Sequence, residues 1–134
     1  MVRAEFKHLK DNEKEIAQRF VDRKLLDGEY IYDVELKSPA VVVPAHWTKK
    51  DIEQWEALRS KRIDLVVKTS TADWVIEITL KLSKAAVGGV VTYREMYMDQ
   101  YKPGRPTNVA VVCEVDDPAY HSTCERFGIK IFVV

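Results

Sequence analysis

Arg62-Ile63-Asp64-Leu65-Val66-Val67 and Trp74-Val75-Ile76-Glu77-Ile78-Thr79-Leu80-Lys81 are the two stretches whose reading decides the fold. Both are apolar runs of β type, and each carries one acid where a hydrophobe is the ordinary choice. The break between them, Lys68-Thr69-Ser70-Thr71-Ala72-Asp73, is polar and short, which predicts a hairpin. Adjacent strands bring Asp64 and Glu77 to the same end of the sheet. Two carboxylates and a nearby lysine, held on rigid strands, are the minimum for binding a hard divalent cation beside a phosphodiester.

Upstream, Phe6, Leu9, Ile16 and Phe20 recur at helical spacing, with Val21, Leu25 and Leu26 widening the stripe. This predicts a first helix, closed by the turn signal Asp27-Gly28. Glu13 falls in phase with Leu9 and Ile16. Either it is an acid on a core-facing stripe, which needs a reason, or Asp11 or Asn12 caps a fresh helix and Glu13 favours its first turn. Tyr30, Tyr32, Val34 and Leu36 then alternate with Ile31, Asp33, Glu35 and Lys37, as on a half-exposed strand. Asp33 and Glu35-Leu36-Lys37 read as its acid-rich solvent face. Beyond Ser38-Pro39, Ala40-Val41-Val42-Val43 is wholly apolar and reads as a buried strand or the return of a hairpin. Thr48 and Asp51 form an approximate capping box for a short helix, in which Trp47 and Trp55 read as packing residues.

Downstream, Ser83 is placed to cap a helix from Lys84 to about Tyr101. Gly88-Gly89 weakens it, which suggests close approach to the sheet or to a ligand backbone. Tyr93, Tyr97 and Tyr101 form a ladder along it. Lys102-Pro103-Gly104-Arg105-Pro106-Thr107 is a loop, and Asn108 to Val115 reads as a buried parallel strand. Asp117-Pro118 starts a last helix and Gly128 closes it, before a terminal strand from Ile129 to Val134. The order is α-β-β-β-α-β-α-β with one extra helix between early strands.

These residues resemble the PD-(D/E)XK nuclease superfamily, whose signature is an Asp on one strand and Glu-x-Lys on the next. Asp64 matches the Asp and Glu77 the Glu; the lysine position is Thr79, and the nearest lysine is Lys81. The following helix resembles one that often carries Gln-x-x-x-Tyr in that family: Tyr93 matches, and Gly89 stands at the Gln. The resemblance implies a restriction-endonuclease-like αβββαβ core, a mixed central sheet flanked by helices, with a C-terminal αβ extension. It further implies that Asp64, Glu77 and the Ile78 carbonyl bind Mg²⁺ or Mn²⁺, that Glu13 adds a third acid, and that Lys81 assists hydrolysis of DNA. Lys81 is two residues past Thr79 on the same face, about 6.6 Å further along. Lys61, Arg62, Lys84, Tyr93 and Arg94 are the residues expected to meet nucleic acid. Compact archaeal junction resolvases are similar in size and fold, which suggests a homodimer on branched DNA. The rival expectations are a catalytically reduced module of viral or mobile-element descent that binds nucleic acid or a protein, and an unrelated α/β domain whose two acids are incidental.

Length and composition fit a single domain over residues 1–134. The chain is 46% hydrophobic and 31% charged, with 21 basic and 21 acidic residues. Zero net charge argues against coating nucleic acid through bulk electrostatics. Between Thr79 and Arg105, however, Lys81, Lys84, Arg94, Lys102 and Arg105 face only Glu95 and Asp99. No run reaches the length of a membrane span and no signal-peptide core opens the chain, so a cytoplasmic location is expected, with no small-molecule cofactor. Cys113 and Cys124 read as small buried thiols, and His8, His46 and His121 as scattered histidines without ligand spacing.

Overall fold

The computed structural model describes residues 6–59 and 61–134. Its centre is the expected hairpin. Strand β2 (Lys61–Lys68) runs antiparallel to β3 (Asp73–Lys81) in the register Leu65↔Ile76 to Lys68↔Asp73. Thr69 closes the turn: its N–H donates to the Ala72 carbonyl at 2.9 Å, and its hydroxyl accepts the Ala72 N–H at 3.1 Å. Strand β1 (Glu29–Leu36) pairs antiparallel with β2 on the outer side. Strand β4 (Thr107–Val115) lies parallel to β3, and β5 (Ile129–Val133) parallel to β4. The result is an open mixed sheet of five strands in the order β1-β2-β3-β4-β5.

The helices cover both faces, which is why β2 and β4 read as continuous apolar runs. Helix α1 (Asp11–Arg23) presses Ile16, Ala17 and Phe20 against Leu65, Ile76, Ile78, Ala110 and Val112. Helix α3 (Lys84–Tyr101) presses Val87, Val90 and Tyr97 against Val66, Val75, Val109 and Val111 on the opposite face, and Cys124 from the short α4 (His121–Arg126) joins them. Local signals set the starts: Ser83 Oγ accepts the Ala86 N–H at 3.2 Å for α3, and Asp117 accepts the Ala119 N–H at 3.0 Å to open a 3-10 turn, Pro118–Tyr120, that leads into α4. At the far end of the sheet the buried Asp73 carboxylate accepts the Tyr97 hydroxyl at 2.8 Å and lies 3.4 Å from Arg105, tying α3 and the β4 approach to the hairpin. Both cysteines are free and buried. Among the described residues, no helix is long and apolar enough to cross a membrane.

Several expectations are corrected. Phe6 and Leu9 are buried but precede α1, which begins at Asp11 and turns off at Lys24 in a left-handed conformation (φ 50°) before the Asp27-Gly28 turn. Ala40–Val43 forms no strand, and Val42 is 96% exposed, because no neighbouring element offers it an apolar face. Helix α2 (Lys49–Arg59), with the expected Thr48–Asp51 capping box, buries no residue. Trp47 and Trp55 pack edge-to-face on each other, with centroids 5.9 Å apart, and Arg59 lies over Trp55. Gly88 and Gly89 make no close approach to the sheet: among the described residues a Cβ at either meets nothing within 4 Å. Gly28 does, since a Cβ there falls 2.2 Å from the Lys68 carbonyl oxygen where β1 enters the sheet.

Candidate active site

The β1–β2 ladder is irregular where two of the acids lie. In β1, Tyr30 and Tyr32 face α1 while Val34 and Leu36 face α3, so they do not share the single face their alternation suggested. In β2, Ile63 faces α3 and Leu65 faces α1. Both strands therefore change face, at Asp33 and Asp64, which lie opposite each other in a register that skips them: Tyr32↔Leu65, then Val34↔Ile63. Asp33 takes a left-handed conformation (φ 53°), uncommon for a non-glycine residue but more accessible to Asp than to most. On its other side β2 stops pairing with β3 beyond Leu65↔Ile76.

Asp64 stands where both ladders let go, only 3% exposed. Its Oδ2 accepts the buried Ile78 N–H at 2.8 Å, replacing a backbone carbonyl. Its Oδ1 lies 2.7 Å from His8 Nε2. The Ile78 carbonyl leaves β3 on the same side as its N–H, toward the gap beside β2. His8 also touches Asp33 Oδ1 through Nδ1, and the Lys7 N–H donates to Asp33 Oδ2 at 2.9 Å. The hydrogen bond to Asp64 raises the His8 pKa above its ordinary value against the opposing effect of burial, and the charges of Asp64 and Asp33 add to it.

Glu77 is the member of the group most disfavoured as an anion. Among the described residues, its Oε2 is buried without a hydrogen-bond partner. Burial pushes its pKa up to about 9, with contributions from Asp64, through both charge and a hydrogen bond, and from the Glu13 charge. Glu13 takes the first-turn role as well, accepting the Lys10 N–H at 3.3 Å while acting electrostatically on Glu77. Tyr93 on α3 belongs to the same neighbourhood: burial raises its pKa first, then the charges of Glu77 and Asp64.

The remaining expected residues sit around this group or away from it. Arg62 reaches the Asp33 carbonyl at 3.5 Å, and Lys61 the Leu58 carbonyl at 3.4 Å. Lys81 is exposed at the end of β3, its carbonyl accepting the Thr79 hydroxyl at 3.2 Å; among the described residues no hydrogen bond or ion pair joins it to Asp64 or Glu77. Lys84 is exposed on the first turn of α3, and Arg94 lies 3.7 Å from Glu95. Sequence reasoning missed two members. The alternation of β1 puts Asp33 on a solvent face, yet its side chain is 12% exposed, because the face change turns it inward. His8 was read as scattered; the signal available for it was its place between the apolar anchors Phe6 and Leu9, both buried.

The donors suit a hard cation. Adjacent carboxylates, a carbonyl directed into the same gap and a buried carboxylate oxygen without a donor are oxygen ligands of the kind Mg²⁺ and Mn²⁺ prefer. Among the described residues no three His, Cys, Asp or Glu side chains are arranged to hold a metal ion by themselves. Carbonyl and water oxygens would have to complete the shell, as is usual for Mg²⁺. Compared with protein families, curated proteins and solved structures, the chain matches none at a significant level.

Proposed function

We propose that the chain is a divalent-cation-dependent nuclease of the restriction-endonuclease-like kind, hydrolysing phosphodiester bonds in DNA. The observation that carries the reading is the buried, donor-free Glu77 Oε2 beside Asp64. Two adjacent buried carboxylates repel unless a proton or a cation lies with them, and a site kept at that expense has a use for the cation. Asp64, Glu77 and the Ile78 carbonyl would hold Mg²⁺ or Mn²⁺, which when bound polarises phosphate oxygens and acidifies water. Asp64 is fixed for this by its bond from Ile78, and Glu77 by its strand. Tyr93 offers a hydroxyl beside the pair, and Arg62 a cation for a phosphate at its rim.

A second reading is favoured by Thr79, which stands where the resembled family has its lysine, and by the exposed Lys81. It is a reduced member of that kind, binding DNA or a protein without cutting. Incubation with supercoiled, linear and branched DNA and Mg²⁺ or Mn²⁺ separates the two. Cleavage lost in Glu77→Gln and Asp64→Asn supports the nuclease; cation binding without cleavage supports the reduced module. The absence of both cation binding and cleavage overturns the nuclease and leaves only the protein-binding form of the second reading. The same incubation run over sedimentation tests whether a homodimer forms on branched DNA.

A further inference from the structure

We propose that His8, oriented by Asp33, is a positioning residue that fixes the Asp64 carboxylate for cation binding; the inference rests on the metal-dependent reading above. Beside its hydrogen bond with Glu77, Asp64 has one tie at each oxygen, Oδ1 to His8 Nε2 at 2.7 Å and Oδ2 to the Ile78 N–H at 2.8 Å. A carboxylate held at both oxygens does not rotate, yet each oxygen keeps a further lone pair for another partner. His8 is itself held from behind. Its Nδ1 meets Asp33, and Asp33 is fixed by the Lys7 N–H and by its left-handed backbone across the ladder from Asp64. Phe6 and Leu9, 4% and 8% exposed, anchor the chain on either side of His8, and the Phe6 ring packs edge-on against Tyr32.

The fold does not require this polar line. The apolar anchors already dock the segment on the sheet, whereas drawing a histidine and two carboxylates together out of water is costly. The chain Asp33–His8–Asp64 instead has the form of the outer contacts that orient metal-binding carboxylates. Loss of such a contact typically weakens metal affinity about 10- to 100-fold.

The test is Mn²⁺ binding by calorimetry without nucleic acid, on the wild type, His8→Ala, His8→Gln, His8→Asn and Asp33→Asn, each first shown folded by circular dichroism. We expect His8→Ala to bind Mn²⁺ about 10-fold or more weakly. His8→Gln should recover most of the loss, because its amide nitrogen stands where Nε2 does; His8→Asn, whose amide mimics Nδ1, should not. Asp33→Asn should bind more weakly than the wild type. A merely structural His8 would give matched losses in Gln and Asn, and that result overturns the proposal. So does Mn²⁺ affinity in His8→Ala equal to the wild type's, or greater, the latter meaning that His8 competes with the cation for Asp64. If His8→Ala does not fold, unchanged affinity in Asp33→Asn overturns it. A wild type that binds no Mn²⁺ sinks the metal-dependent reading itself, which none of the variant results does.

Discussion

Neutralising Glu77 should abolish most of the pH dependence of this protein's stability. Burial, Asp64 and Glu13 hold the folded-state pKa of Glu77 near 9, against an ordinary value of 4.5. Between those limits the folded protein keeps a proton that the unfolded chain has released. Stability therefore falls as pH rises: the penalty is absent below 4.5 and complete above 9. One such proton gives a slope of about 1.4 kcal/mol per pH unit, hence about 3 kcal/mol lost between pH 6 and pH 8. That is a large part of the 5–15 kcal/mol, roughly, that holds a domain together. Its raised pKa gives His8 the same sign: its contribution is full below 6.5 and lost as pH rises through its folded value. Urea unfolding followed by tryptophan fluorescence from pH 5.5 to 8.5 measures the slope. Glu77→Gln, isosteric and neutral, should match the wild type at the acid end and exceed it at the alkaline end, leaving only the His8 component. Saturating Mg²⁺ should flatten the wild-type slope, since the bound cation takes the place of the proton. A wild-type stability that is level across this range, or a Glu77→Gln slope equal to it, refutes the picture of a protonated buried Glu77.

Other outcomes follow from the same geometry. Thr79→Lys should create or increase cleavage of DNA in the presence of Mg²⁺, whereas Lys81→Ala should leave any wild-type cleavage rate within twofold or so, because among the described residues no hydrogen bond or ion pair joins Lys81 to the acid pair. Loss of cleavage in Lys81→Ala with Mn²⁺ affinity intact would restore Lys81 to the chemistry. Gly88→Ala and Gly89→Ala should each stabilise the protein by about 1 kcal/mol in urea unfolding, since both are helical and a Cβ meets open space. Gly28→Ala should have the opposite sign, its Cβ meeting the Lys68 carbonyl.

What could be read in the sequence was what is decided locally. The hairpin follows from two β-type runs and a polar gap, and the observed strands carry Asp64 and Glu77 just past its last pair, Leu65↔Ile76. The caps at Thr48, Ser83 and Asp117 use donors and acceptors two or three residues apart, so their signatures sit within one turn of chain. Ala40–Val43 went the other way because apolar composition specifies a desire for burial, not a surface to bury against. Asp33 and His8 were illegible for a different reason. His8 meets Asp64 across 56 positions of sequence, and Asp33 turns inward only because its strand changes face. A period of two carries no mark of where the period slips.

That slip also decides how the site should be probed. Asp64 does two jobs: it supplies charge, and it accepts the Ile78 N–H that the interrupted β2–β3 ladder leaves without a carbonyl. Asp64→Ala removes both. The buried Ile78 N–H would then lack an acceptor, which costs about 1–3 kcal/mol. His8 Nε2 would lose its partner as well, leaving only the Asp33 contact at Nδ1, so lost activity in Asp64→Ala would not separate chemistry from unfolding. Asp64→Asn keeps an oxygen for Ile78 and removes the charge, provided that the amide places its nitrogen away from that N–H. It should retain more of the wild-type stability in urea than Asp64→Ala, by about 1 kcal/mol or more, while losing Mn²⁺ affinity as fully. Equal stability of the two variants would mean that the Ile78 bond is not what holds Asp64 in place, and the account of the broken ladder would have to be abandoned with it.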